Sequence, residues 1–386
     1  MTLPTPGSPT VPTPASMPAV PPSPTFVAPV RFPLGWLLEH ATPPVQYRAM
    51  VEVARLPGAD PGRTNVLALA SRSAIGLAVQ QAPDGSWNQS MLALPTGKGS
   101  WFDGIGTIPA VRRLLEYGWG NDTPPLATAK RLLFRLLAED DEPDYLFELA
   151  EEAGDDPELI RRGRSILREA AAAVLARAGF ESDPRLRGAA SRTVERLGEF
   201  LRSPLAAKPF VRVGNQHVLA SEAAPPTIHT LQMLAWMPKF RTEHYDTMER
   251  LYHYLSQPLP RTEPAQLVGG KVVAQPDLVL GDLLPHRNAA DDDVPAALLW
   301  LELMARLGYL RRNENWSRLL DRFLEDRDER GVWHPHKGME TARSANPATW
   351  AYYPLEESQS GDERWTDVTF RLGLIARLAG RTIELE

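Results

Sequence analysis

Cysteine is absent from the 386-residue chain, which therefore has no disulfides and no thiolate ligands for a metal site. Positive charge is not in excess either: 42 Lys and Arg oppose 48 Asp and Glu, and the net charge is −6. The sequence thus lacks the basic surplus typical of a nucleic-acid-binding protein. No run approaches the roughly 18 apolar residues of a membrane-spanning helix. These absences predict a soluble protein with no nucleic-acid partner and no transmembrane segment.

Charge is also missing from the first thirty residues, where Arg31 is the first charged residue. This segment holds ten of the 37 prolines, which neither join a helix nor build a core. A secretory signal needs a basic start and an apolar stretch of roughly 7–15 residues. Neither is present. We therefore predict a disordered Pro-rich tail over residues 1–34, one domain over residues 35–386, and a cytoplasmic location.

Helical periodicity dominates from residue 35 onward, and strand-like alternation is nearly absent. Three predicted helices end in a glycine followed by a large apolar residue, at Gly118, Gly179 and Gly308, which is typical of a Schellman stop. Two long interruptions, 257–292 and 331–363, are predicted to be loops that act as lids. Helices are predicted near 44–55, 63–80, 106–117, 125–138, 144–153, 157–178, 184–202, 226–237, 243–256, 294–307, 314–326 and 364–379.

A Gly-x-Trp sequence occurs twice, as Gly85-Ser86-Trp87 and as Gly331-Val332-Trp333. Gln81 precedes the first copy and completes the Gln-x(2–5)-Gly-x-Trp pattern of the squalene-hopene cyclases. The chain resembles this family and the wider group of terpenoid cyclases and protein prenyltransferases. In the family these motifs brace the rim of the fold, so the resemblance gives Gln81, Gly85, Trp87, Gly331 and Trp333 a structural role. The segment 45–48 also resembles the opening of bacterial single-toroid proteins related to these cyclases.

The resemblance implies an all-α, single-domain α/α toroid of about six helical hairpins. The spacing of the glycines agrees with a hairpin repeat of roughly 60 residues, since Gly118 and Gly179 are 61 residues apart. An open HEAT-like solenoid is the alternative, because the segment 42–48 also looks like the start of a HEAT helix. The zinc site of the protein prenyltransferases is excluded, because one of its ligands is a cysteine.

The acidic run Asp291-Asp292-Asp293 comes directly before the most apolar helix. Class II terpene cyclases carry a DxDD motif at a similar helix start, and its middle Asp protonates an alkene or an epoxide. On that pattern Asp292 is the acid and Asp293 its neighbour, while Ala290 takes the place of the first Asp. The alternative is helix capping, because Asp followed by Pro in the first turn is a common helix start.

Other candidate residues each have two interpretations. Trp300, Trp236 and Tyr252 lie on apolar helices, and with His286 of the first lid loop they are predicted to line a substrate cavity; the alternative is ordinary core. Asp140-Asp141-Glu142-Pro143-Asp144 has the letters of a magnesium-diphosphate motif, but Pro143 favours a solvated acidic turn. His334 and His336 flank a proline, which turns their rings apart and favours loop histidines over metal ligands.

Two functions follow from this sequence. The first is class II isoprenoid cyclisation, with a hydrophobic small molecule as substrate, no metal site in the protein and no cofactor; Mg²⁺ would accompany a diphosphate substrate. The second is a non-catalytic protein that acts as a binding or scaffold protein. A glycan-processing enzyme is a third, for which paired carboxylates flanking an aromatic cleft are not evident. Nothing in the sequence indicates the oligomeric state.

Overall fold

The computed structural model describes residues 28–57, 66–95, 102–138, 148–149, 154–260, 264–284, 286, 289–335, 339, 342, 344–355 and 360–386. The acidic run at 140–144, His336 and residues 1–27 of the predicted tail lie outside these ranges. No helix in the described part of the chain is long and apolar enough to cross a membrane.

Helices form most of the described structure, and polar side chains cap several of them; Asp156, for example, accepts hydrogen bonds from two N–H groups of the first turn. Nine predicted helices, from 106–117 onward apart from 144–153, are confirmed to within two residues. The helix predicted over 63–80 is divided, because Ser71 caps a new helix. The α-helices are α1 (Leu34–His40), α2 (Pro43–Arg48), α3 (Val66–Leu69), α4 (Arg72–Ala78), α5 (Thr107–Glu116), α6 (Pro124–Ala138), α7 (Pro157–Arg177), α8 (Pro184–Arg202), α9 (Ile228–Ala235), α10 (Pro238–Glu243), α11 (Tyr245–Leu255), α12 (Ala289–Asp292), α13 (Val294–Arg306), α14 (Glu314–Glu325) and α15 (Thr366–Leu378).

The prediction of an all-α fold is wrong, because six strands form two sheets within the described residues. They are β1 (Val30–Phe32), β2 (Phe210–Val213), β3 (Gln216–Leu219), β4 (Ala265–Val268), β5 (Lys271–Ala274) and β6 (Ile383–Leu385). The larger sheet has the order β2-β3-β4-β5: two antiparallel hairpins joined by a parallel contact between Leu219 and Gln266. Each strand has only three or four residues, so its alternation is too short to stand out against the helical pattern.

The inner helices contact one another in a closed cycle. α5 contacts α7, α7 contacts α9, α9 contacts α13, α13 contacts α15, and α15 contacts α2 and the π-helical turn Ala49–Ala54 that continues it. An ion pair between Arg48 of α2 and Glu116 of α5 closes the cycle. α13 and α15 are buried on nearly all sides, whereas α8 and α14 bury one face. The ring therefore has an interior.

The two Gly-x-Trp copies adopt the same local structure. Gly85 and Gly331 have φ of +93° and +87°, a left-handed conformation that favours glycine. Each glycine is followed two residues later by a buried tryptophan whose backbone N–H donates to a threonine hydroxyl, Thr107 for Trp87 and Thr369 for Trp333, both at 3.1 Å. Gln81 donates its side-chain N–H to the Gly85 carbonyl at 3.0 Å. The Trp87 indole donates to the Leu77 carbonyl of α4 at 2.9 Å.

The two ends of the described chain lie side by side. β1 and β6 pair in parallel, with Val30 opposite Ile383 and Phe32 opposite Leu385. Phe32 is 1% exposed and packs on Gly373 of α15, where a Cβ atom would lie 2.4 Å from the ring. The predicted tail boundary at residue 34 is therefore too late, since apolar Val30 and Phe32 are part of the folded body.

Candidate functional site

A small cavity of about 30 Å³ lies inside the ring. It sits at the carboxyl ends of the inner helices, because Glu116, Arg177 and Arg306 are the last residues of α5, α7 and α13. Arginine suits this position, since the last turn of a helix carries partial negative charge. The lining residues are Arg112, Glu116, Ala173, Val174, Arg177, Gln232, Trp236, Leu299, Glu302, Leu303, Arg306 and Tyr352.

Glu116 is the centre of a buried ion-pair network. Its carboxylate lies 2.5 Å from Arg48 Nη1, 3.0 Å from Arg177 Nη2 and 3.0 Å from Arg371 Nη1. Burial by itself would raise the pKa of Glu116, but these guanidinium groups outweigh it and hold the pKa well below its usual range. Glu116 is therefore an anion at every pH at which the protein would function.

A second carboxylate, Glu302 of α13, joins the other side of the network. It lies 2.8 Å from Arg306 Nη2 and 3.5 Å from Arg371 Nη1. Arg371 also pairs with Asp367 at 3.2 Å and donates to the Tyr352 carbonyl at 2.5 Å. Burial lowers the pKa of Arg371, but its acidic neighbours, Glu116 first, outweigh this and raise it well above the usual value. Arg371 is thus held as a cation by carboxylates of α5, of α13 and of its own helix, α15.

Arg112 of α5 differs from the other interior arginines. Within the described residues it makes no hydrogen bond, ion pair or ring contact, although it lies one helical turn before Glu116. It lies deep in the protein and keeps some accessible surface because it faces the cavity. Burial lowers its pKa to about 10, and the attraction of Glu116 only partly offsets this effect. The five N–H groups of this guanidinium are therefore available to a ligand.

Two uncharged polar groups accompany Arg112. Gln232 of α9 lines the cavity, and its buried Nε2 has no hydrogen-bond partner in the described structure. His229, one turn earlier on α9, lies 3.8 Å from Asp277 and is within electrostatic range of Arg112. Burial lowers the pKa of His229, so its imidazole is neutral at neutral pH. Among the described residues, the cavity therefore presents a cation without a hydrogen-bonded partner, and an amide, Gln232, that lies beside the neutral imidazole of His229.

Trp236, predicted to line a cavity, directly follows α9 and does line this one. Its neighbours are charged: the Arg306 and Arg177 guanidinium carbons lie 3.7 Å and 4.6 Å from its ring centroid. The other three predicted lining residues lie elsewhere. Trp300 is in the core, edge-on to Trp316 at 6.0 Å, and Tyr252 on α11 donates to the Arg312 carbonyl. His286 is exposed at a surface groove on α14.

The three aspartates of the acidic run point in separate directions. Asp293 caps α13, where it accepts from the Ala296 N–H at 2.9 Å and from the Ser344 hydroxyl at 2.6 Å. Asp291 pairs with Arg322 of α14. Asp292 is exposed and has no hydrogen bond or ion pair in the described structure. None of the three lines the interior cavity.

The histidine and acidic side chains of the described residues form no group of three that could hold a metal ion. His334 lies 3.4 Å from Asp328 in the loop beside the second Gly-x-Trp copy. Asp328 also accepts the backbone N–H groups of Arg330 and Val332, so this contact belongs to the turn.

The charged residues of the cavity were missed at the sequence level. A signal was present: Glu302 lies within Leu298-Leu299-Trp300-Leu301-Glu302-Leu303, and Arg371 lies within Phe370-Arg371-Leu372-Gly373-Leu374-Ile375. A charge on a helix that is otherwise apolar all round must be paired inside the protein. The pattern shows that such a charge has a partner, but it does not show which distant residue the partner is.

Comparisons with protein-family models, with curated proteins and with solved structures give no match. The resemblance to terpenoid cyclases therefore rests on the sequence motifs alone.

Proposed function

We propose that the protein is a binding protein for a small anion, which it holds inside the helical ring at the guanidinium of Arg112. The observation that carries this proposal is the absence of any partner for Arg112 among the described residues. A buried cation without a partner is costly, and buried arginines in proteins are almost always paired. A bound anion would supply the missing partner.

The charged residues that line the cavity also favour an anionic ligand. Of the charged residues that line the cavity, three are arginines, Arg112, Arg177 and Arg306, and two are glutamates, Glu116 and Glu302. Glu116 pairs with Arg177, and Glu302 pairs with Arg306. The surplus positive charge is thus located on Arg112.

The size of the cavity limits the ligand. A buried water molecule requires a cavity of roughly 10–15 Å³, so about 30 Å³ holds two waters or one anion of three to four heavy atoms. The Nε2 group of Gln232, which lies beside His229, offers a further donor. A halide, nitrate, bicarbonate or formate ion fits these limits.

The geometry favours binding over the isoprenoid chemistry that the acidic run suggested. Protonation of an alkene needs a protonated acid in a dry, apolar cavity, and Asp292 is exposed to solvent. Pockets for larger organic ligands measure roughly 300–1,000 Å³, whereas the interior cavity is about 30 Å³ and is lined by charges.

The test is the thermal stability of the protein in the presence of single anions. Nitrate, bicarbonate, formate and chloride are titrated at constant ionic strength, in HEPES balanced with gluconate, which is too large for the cavity. One or more of them should stabilise the wild type, by about 2.7 kcal/mol at 100 times its Kd.

Arg112→Met should abolish this response. Arg202→Met, which removes an exposed arginine that lines neither the interior cavity nor the α7–α8 groove described below, is the control and should retain it. A response equal in wild type and Arg112→Met, or no response to any of the anions, would reject the proposal.

A further inference from the structure

A second cationic concavity lies on the outside of the ring, between α7 and α8, and measures about 460 Å³. Five of the residues that line this α7–α8 groove are arginines and two are glutamates. On α7 the arginines recur at Arg161, Arg162 and Arg168, and on α8 at Arg192 and Arg196. This helical spacing places the arginines of α7 on one face of that helix and those of α8 on the face opposite. The interior cavity is lined by other residues, so the groove is a separate site.

Buried acceptors hold two of these arginines in place. Arg162 donates to Gln266 Oε1 of β4 and to the Ser221 carbonyl, both at 2.7 Å. Gln266 is 1% exposed and is itself fixed, since it donates to the carbonyls of Ala220 and Ala223 at 2.8 and 2.7 Å. The β4–β5 hairpin, which was not predicted from the sequence, thus orients Arg162 through Gln266.

Arg196 is fixed in the same way from the floor of the groove. It pairs with Glu169, whose carboxylate also accepts from the hydroxyls of Thr227 and Thr230 at 2.8 and 3.1 Å. A guanidinium has five N–H groups. Arg196 uses two of them, one to Glu169 and one to the Ser165 hydroxyl, and Arg162 uses three. The remaining N–H groups of both arginines are oriented and have no acceptor in the part of the chain that the structure describes.

Arg192 lies one turn before Arg196 and is exposed, with no hydrogen bond or ion pair among the described residues. Its whole guanidinium is therefore free. From Arg161 to Arg168 the helix rises by about 10 Å, and from Arg192 to Arg196 by about 6 Å. Glu158 pairs with both Arg161 and Arg162, so the five arginines oppose three carboxylates, those of Glu158, Glu169 and Glu222. The net positive charge that is left is spread over a length that matches a small molecule with several anionic groups.

We propose that the α7–α8 groove binds a small polyanion, a molecule that carries at least two phosphate or carboxylate groups. Guanidinium groups suit both, because their planar donors match two oxygens at once. The volume lies within the range of roughly 300–1,000 Å³ that is usual for small-molecule sites. A nucleic acid is a poor fit, because it needs an extended basic surface. The chain carries a net charge of −6, and this cluster of arginines is confined to one groove.

Calorimetric titration of the full chain, at about 150 mM salt to screen weak surface attraction, tests the proposal with two probes. Inorganic triphosphate represents the phosphate source and citrate the carboxylate source, and tighter binding of one of them identifies the chemistry. Binding should be saturable with one molecule per chain. Arg192→Gln should weaken it about tenfold, the loss expected for one charged hydrogen-bonding group.

The matched control is Arg202→Gln, which removes an exposed arginine of the same helix that does not line the groove. It should leave the affinity unchanged. Arg112→Met should also leave it unchanged, which separates this site from the interior one. Equal weakening by Arg192→Gln and Arg202→Gln would show general charge attraction and overturn the proposal. The absence of saturable binding to both probes would overturn it as well.

Discussion

The Arg306 guanidinium carbon lies 3.7 Å from the centroid of the Trp236 ring. This contact fixes one wall of the cavity, since a cation over an indole face is attracted to it. Arg177 lies 4.6 Å from the same ring and pairs with Glu116. Both arginines are thereby occupied, and Arg112 is left as the cation that faces the cavity without a hydrogen bond or ion pair among the described residues.

Arg177 and Arg112 should therefore respond differently to the same substitution. Arg177→Met breaks a buried ion pair and should reduce the free energy of unfolding by about 3 kcal/mol, near the low end of the usual loss because Glu116 keeps Arg48 and Arg371. Arg112→Met removes a charge that has no ion pair within the described part of the chain, and it should leave the stability unchanged or higher when no small anion is present. Urea unfolding of both variants in gluconate measures the difference. A larger loss for Arg112→Met than for Arg177→Met would contradict the assignment of partners.

The two Gly-x-Trp copies give a second matched comparison. Trp87 and Trp333 are 0% and 2% exposed, so replacement of either by alanine should reduce the free energy of unfolding by about 3–5 kcal/mol. Replacement by phenylalanine should separate them. Trp87→Phe loses the hydrogen bond to the Leu77 carbonyl and should cost about 1 kcal/mol more than Trp333→Phe, whose indole N–H has no partner in the described structure. Chemical unfolding checks the order, with Tyr245→Ala on the surface as a control of small effect.

The helix ends show what local sequence is able to predict. Gly118, Gly179 and Gly308 were predicted as Schellman stops and are confirmed, because the residue after each glycine donates to the carbonyl five positions earlier. Such motifs depend only on neighbours in the chain. The hairpins also had a local signal, the Gly214-Asn215 and Gly269-Gly270 turns, which is typical of two-residue hairpin loops.

The interior site depends on contacts that the local pattern does not contain. Arg48 and Glu116 are 68 residues apart, and Arg371 joins them from near the end of the chain. Helical periodicity shows which face of each helix is buried, but the pairing of charges across the ring is set by how the helices pack. For the same reason Trp300 and Tyr252 looked equivalent to Trp236 in the sequence, whereas only Trp236 of these three lines the cavity.

The boundary of the Pro-rich segment is tested by two truncations. We expect that removal of residues 1–27 leaves the melting temperature unchanged. Removal of residues 1–33 should lower it, because β1 is lost together with the burial of Phe32. Phe32→Ala in the full chain tests the same contact and should cost about 3–5 kcal/mol. Equal melting temperatures for the two truncated proteins would show that the β1–β6 pair does not stabilise the fold.

The pH dependence of stability tests the environment of His229. Burial lowers its pKa in the folded protein, so the unfolded chain takes up a proton first as the pH falls through about 6.5. The wild type should therefore lose stability as the pH falls from about 7.5 to 5.5. The loss begins near the ordinary pKa of histidine, which applies to the unfolded chain, and continues down to the lower pKa of His229 in the folded protein. His229→Gln should show a shallower loss. Asp277, Glu169 and Arg112 face His229 and are present in both proteins, so their contributions largely cancel. Parallel curves for the two proteins would contradict this account.

The most direct measurement is the anomalous diffraction of a crystal soaked in bromide, which is a small anion with a distinct signal. The account predicts an anomalous peak inside the ring, within about 3.5 Å of the Arg112 guanidinium, that is absent from crystals of Arg112→Met treated in the same way. Bromide peaks on the surface with none in the cavity, or a cavity peak that persists in Arg112→Met, would contradict the proposed anion site.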